Sequence, residues 1–133
     1  MPTFSSRSLA NLASCDERLQ RVMYEAIKFA NFAVICGHRG QEDQTVAYAT
    51  GRSQTPWPES KHNANPALAV DVVPCPIDWG DLMAFDILSV TIKRCASDLG
   101  VNITWGGDWP HFKDRPHYEV PDPWPRPASE ETA

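Results

Sequence analysis

The sequence has no C-x-x-C pair, no cluster of basic residues, and no apolar run near the ~20 residues needed to cross a bilayer. Each absence removes a class of protein. The cysteines stand singly at positions 15, 36, 75 and 95, and residues 1–13 are small and polar, with no apolar segment to serve as a signal peptide. Without export a disulfide framework is not expected. Cys36, after an apolar run, and Cys95, on the apolar face of a predicted helix, read as reduced core residues. The twelve basic residues are scattered through a chain of net charge −5. That leaves no basic stripe for a phosphate backbone and excludes nucleic acid as the main partner. With neither span nor leader, the chain is expected to stay out of the membrane and in the cytoplasm unless another protein releases it.

What is present fits one domain. A chain of 133 residues, 42% hydrophobic and 22% charged, can bury one real core but not two. Leu19, Val22, Met23, Ala26, Ile27 and Ala30 fall on one face of a helix predicted over 16–30, with Asp16 as its N-cap and Glu17 in its first turn. A short β-prone run covers 32–36, and a second helix 41–49 ends near Gly51. Three prolines make 52–66 a loop. Residues 68–73 alternate as a strand, with Leu68, Val70 and Val72 on one face and Ala69, Asp71 and Val73 on the other; Pro74 and Pro76 stop it. A long helix over 79–99 is closed by Gly100. Short strands follow at 101–105 and 117–120, separated by the Gly106-Gly107 turn. With no βαβ rhythm and no repeat, the class is α+β with short antiparallel strands. Residues 1–120 form the single domain, and the proline-rich acidic stretch 121–133 reads as an extended or disordered tail.

Only four histidines are available for metal or acid–base chemistry: His38, His62, His111 and His117. Asp71 is a carboxylate inside an apolar strand, where an unpaired charge is costly and asks for a partner. A metal ion would be one; by itself Asp71 also fits a strand residue facing solvent or bonded to a basic neighbour. Two imidazoles and a carboxylate make a three-ligand zinc site with a position left for water. Hydrolysis there needs a separate base, and Asp114 or Glu119 is placed for it near His117; spacing does not choose between them. His111 lies outside these segments and reads as a surface histidine.

The order of the segments is more specific than any one of them. Ser60-Lys61-His62, Ala69-Val70-Asp71 and Asp114-x-x-His117 together resemble the D-alanyl-D-alanine metallopeptidase family. That family spans the vancomycin-resistance dipeptidases and carboxypeptidases and the phage endolysins that act as L-alanyl-D-glutamate endopeptidases. Cys36-Gly37-His38-Arg39 resembles its G-Y-R segment, Gln44 stands where it often has a glutamine, and Trp105-Gly106-Gly107-Asp108-Trp109 resembles its G-x-D-W element. Two departures stand out. His62 and Asp71 are nine positions apart where the common form has seven and a glycine, and His38 replaces the usual tyrosine.

The resemblance implies a Hedgehog/DD-peptidase-like fold, a small antiparallel sheet with packed helices and zinc in a surface cleft. It implies His62, Asp71 and His117 as ligands of one Zn²⁺, Asp114 as general base and acid, and Arg39 as the cation facing the scissile carbonyl oxygen. Ser60, Gln44 and Trp109 become substrate contacts, Glu119 a supporting residue, and His38 a filler or support. Short length and the use of aspartate place the chain nearer the phage lysins. The implied activity is hydrolysis of the L-Ala-D-Glu bond of the peptidoglycan stem peptide by a monomer. It would be made in the host cytoplasm and reach the wall through a separate pore-forming protein. A D,D-carboxypeptidase or dipeptidase of the same mechanism, and a non-catalytic zinc-binding module, are the alternatives.

Overall fold

The computed structural model describes residues 2–123, so the tail expected after residue 120 lies outside the described residues from position 124 on. Four helices and four strands follow in the order α1 (Ser6–Ala13), α2 (Glu17–Ala26), β1 (Phe32–Cys36), α3 (Gln41–Ala49), β2 (Ala69–Pro74), α4 (Leu82–Leu99), β3 (Thr104–Trp105) and β4 (His117–Glu119). The strands form one antiparallel sheet in the order β1-β2-β4-β3. The α+β class expected from the residues is the observed one.

Local chemistry accounts for the elements. Asp16 caps α2 by accepting from the Arg18 backbone N–H at 2.9 Å, while Leu19, Val22, Met23 and Ala26 carry its buried face. Asp81 caps α4 through the Ala84 N–H, and Gly100 ends it at φ 70°. Both strand faces of β2 are covered: Ala69, Val70, Val72 and Val73 are fully buried. Alternation therefore did not mean one wet face. α2 packs on α4, α4 on β2, and α1 on β1. Each fully buried aliphatic side chain in that layer contributes roughly 1.5–3 kcal/mol.

Two elements differ from expectation. Helix α1 has no counterpart in the sequence reading, because Ser6–Ala13 is largely small and polar and buries only Ser8 and Leu12. Its start is a Ser5 cap accepting from the Ser8 N–H at 3.1 Å. Tertiary contacts hold it: Asn11 Nδ2 donates to the Val34 carbonyl and the Val34 N–H to Ser8 Oγ. The loop at 52–66 is also interrupted, by a 3-10 turn at Lys61–Asn63 capped by Ser60.

Candidate functional site

The sheet register assembles the centre. Cys36 on β1 pairs with Asp71 on β2, and Asp71 pairs with His117 on β4, so three side chains line up across neighbouring strands. His62 reaches the same point from the capped 3-10 turn, where Ser60 Oγ accepts from its backbone N–H at 3.2 Å. The nine-position step to Asp71 does not separate them, since His62 Nε2 lies 3.3 Å from Asp71 Oδ1. His117 Nδ1 lies 3.4 Å from the same oxygen.

The outer edge of each imidazole is occupied. His62 Nδ1 is 2.8 Å from the Gly37 carbonyl oxygen and His117 Nε2 is 2.8 Å from Glu119 Oε1. Both partners accept, so these outer nitrogens each carry a proton, and the inner nitrogens, His62 Nε2 and His117 Nδ1, face Asp71 Oδ1 and present lone pairs there once they are deprotonated. Two lone pairs and a carboxylate oxygen facing one another repel unless a positive charge lies among them. Nitrogen and carboxylate donors, with outer N–H groups held by a carbonyl and a carboxylate, are the donor set and support that zinc sites use. The residues fit the ion.

Protons compete with a metal ion for that place between the imidazoles and the carboxylate. Burial would lower His62, but hydrogen bonding to Asp71 and Cys36 and the Asp71 charge lift it to about 10. His117 is also raised: burial is outweighed by Asp71 and Glu119. Burial would raise Asp71, yet the two imidazoles hold it well below the usual carboxylate range. Asp114 is raised by burial and by the Asp71 charge. Its Oδ2 lies 4.0 Å from His117 Nδ1 with the side chain 36% exposed, more open than Asp71 or Glu119. Glu119 is not free for that task, being bonded to His117 and 3.4 Å from Lys61 Nζ.

Arg39 comes in from the loop after β1. Its Nη2 is 3.6 Å from Asp71 Oδ2 and 3.5 Å from Cys36 Sγ, and its Nη1 donates to Gln44 Oε1 at 3.0 Å. Close backbone approach makes this loop possible. A Cβ on Gly37 would run into Asn11 O and Ser14 Oγ, and one on Gly106 into the Asp114 carbonyl. Gly106 O also accepts from the Asp114 N–H at 3.0 Å, which fixes the Asp114 segment against the turn after β3.

These groups open onto a cleft of about 990 Å³ lined by Arg39, Ser60, His62, Asp71, Trp109, Asp114 and His117 among others. Trp109 stands with its ring centroid 5.2 Å from that of His117, on the cleft wall. His38 is exposed, with Nδ1 2.9 Å from the Ala64 carbonyl oxygen. His111 is exposed and outside the centre.

Two assignments need correction. Cys36 is not a core residue: it is half-buried, with Sγ 3.8 Å from His62 Nδ1, and with His62 and Asp71 it offers donor atoms within 4.8 Å of one another. Its position follows from strand register, which no local pattern reveals. Cys95 is buried as expected. Gln44 does not reach the cleft surface. It is fully buried; its Oε1 accepts from Arg39 and Asn63, and its Nε2 donates to Ser53 Oγ at 2.9 Å and the Thr55 carbonyl. No hydrogen-bonding group is left for a substrate.

Fold and cleft are those of a peptidase. The family model for phage L-alanyl-D-glutamate peptidases matches residues 2–120, and the chain belongs to that family. It is 30% identical over 113 residues to the L-alanyl-D-glutamate peptidase of Escherichia phage T5, covering 80% of each chain. Its structure is similar to that of the L-Ala D-Glu endopeptidase ChiX of Serratia marcescens. The TM-score is 0.79 at 30% identity, over 91% of this chain and 90% of that one.

Proposed function

We propose that this chain is a zinc-dependent endopeptidase that hydrolyses the L-Ala-D-Glu bond of the peptidoglycan stem peptide. The ligands in this reading are His62 Nε2, the Asp71 carboxylate and His117 Nδ1. One observation carries it: two imidazoles, each with its outer N–H already bonded, turn their inner nitrogens on a single carboxylate oxygen. Zinc bound there would polarise the scissile carbonyl and lower the pKa of water.

The chain's own residues do the rest. Asp114, at the open rim, takes the proton from the attacking water and passes it to the leaving amine nitrogen. Arg39 faces the carbonyl oxygen as negative charge grows on it, and being held in advance it needs no reorganisation at that moment. Trp109 walls the bound peptide beside His117, and Ser60 holds the turn that aims His62. Glu119 keeps His117 in one tautomer. A non-catalytic zinc module would need neither Asp114 nor Arg39 in the cleft. Action takes place at the cell wall, reached from the host cytoplasm through a separate pore-forming protein, by a monomer whose peptidase domain is residues 1–120.

Purified protein is expected to hold about one zinc per chain, with three protein ligands leaving one open position. Digestion of peptidoglycan should expose new N-terminal D-Glu by mass spectrometry, stop on chelation and resume with Zn²⁺. Zinc should be lost in His62→Ala, Asp71→Ala and His117→Ala but kept, without activity, in Asp114→Asn. Cys36→Ser should keep it too, because the His62 nitrogen nearest Cys36 is the one bonded to Gly37. Zinc loss in Cys36→Ser with retention in His117→Ala would replace one ligand by the other. Release of terminal D-Ala instead of new D-Glu amines would make the enzyme a carboxypeptidase.

A further inference from the structure

We infer that Gln44 and Asn63 form a buried amide pair that positions Arg39 against the turn carrying His62. The inference rests on the functional reading above, in which Arg39 faces the scissile carbonyl. Its own basis is a closed set of hydrogen bonds. Gln44 Oε1 accepts from Arg39 Nη1 and from Asn63 Nδ2, both at 3.0 Å. Asn63 Nδ2 also donates to the Arg39 carbonyl oxygen at 3.0 Å, and Asn63 Oδ1 accepts from the Ser60 N–H at 3.1 Å. The Arg39 N–H donates to the His62 carbonyl at 2.8 Å. The Arg39 backbone is thus tied to His62 and Asn63, and its side chain is tied to Asn63 through Gln44.

Burial gives these bonds their consequence. Gln44 is fully buried and Asn63 is 8% exposed, so breaking one bond leaves a desolvated polar group without water to replace it. A long side chain such as arginine has many rotamers, and an unanchored guanidinium would sample most of them. Its Nη2 has only a 3.6 Å ion-pair contact with Asp71 and a weak bond to the Cys36 sulfur at 3.5 Å. Gln44 supplies the guanidinium's 3.0 Å bond to an amide oxygen, and Asn63 fixes the orientation of Gln44. Neither side chain touches substrate; both act through Arg39.

The test is a double-mutant cycle on the zinc-loaded protein, with kcat, KM, zinc content and Tm read for each variant. Gln44→Met alone should lower kcat about 10- to 100-fold, the range seen when supporting partners of a site are removed, with KM changed little and zinc unchanged. In an Arg39→Ala background the same change should cost less than about 2-fold, because the residue it acts through is gone. A kcat for Gln44→Met within about 2-fold of wild type would overturn the proposal. So would an equal loss in both backgrounds, which marks a role in folding alone. If Gln44→Met does not fold, Asn63→Ser enters the same cycle under the same criteria. Full activity in Arg39→Ala would instead strike at the catalytic reading of Arg39, a result separable from both.

Discussion

Each histidine of the centre is defined by what its far nitrogen touches. For His117 that partner is Glu119 at 2.8 Å, itself within reach of Lys61. In the zinc reading proposed above, a carboxylate there raises the basicity of the inner nitrogen and locks the ring. Glu119→Gln is therefore expected to weaken zinc binding about 10- to 100-fold, read by competition with a chelating dye. Unchanged affinity would leave Glu119 with only its Lys61 ion pair. The residue scale was the most legible in the sequence. His62, Asp71, Asp114, His117 and Arg39 meet at the cleft as their ordered segments suggested. Gln44 was visible as a residue but not as a buried one, because a lone polar residue in a short helix looks the same whether it faces water or core.

At the scale of elements, turns and caps hold the centre. Asp114 is held by its N–H to Gly106 O, and Gly106 has no room for a side chain against the Asp114 carbonyl. Gly106→Ala should displace Asp114, the proposed base, more than His117, which β4 holds by its pairing with β2, and should leave His62 and Asp71 on other segments in place. The expected outcome is a large loss of kcat with zinc still bound, and normal kcat would separate Asp114 from catalysis. Helix α2 offers a pH test far from the cleft. Burial would raise Asp16, but hydrogen bonds from the Arg18 side chain and backbone and the Arg18 charge lower it below 3.8. A depressed carboxylate contributes stability above its unfolded pKa and loses it as pH falls through the folded one. Asp16→Ala should cost about 1 kcal/mol at neutral pH. The gap to wild type should close below roughly pH 3.8, by thermal melts across pH; a gap constant down to pH 2 would contradict the linkage. Helix α1 shows why element-level reading fails where it does. Its residues lack an apolar stripe, and bonds from Ser8 and Asn11 to β1 hold it in place.

Across the whole molecule, the sheet brings together two imidazoles and two carboxylates whose charges are balanced by protons or by a bound cation, with Arg39 contributing in part. Zinc binding should therefore stabilise the fold by mass action, about 2.7 kcal/mol at a free concentration 100 times Kd. Chelation is expected to lower Tm by on the order of 10 °C, seen by calorimetry before and after treatment. No shift would mean that the ion adds nothing to the folded state.

Sequence alone determined the chemistry available and the order in which it is presented: which residues are nitrogen or carboxylate donors, which helices have caps, and that the class is α+β. Those properties are local, set by residue type and spacing along a few turns. Tertiary structure decided the rest. Only the register of β1, β2 and β4 places Cys36, Asp71 and His117 in one row, and only the packing of α3 against the 3-10 turn buries Gln44 beneath Arg39. Register and burial depend on contacts between segments tens of residues apart, which no window along the chain contains.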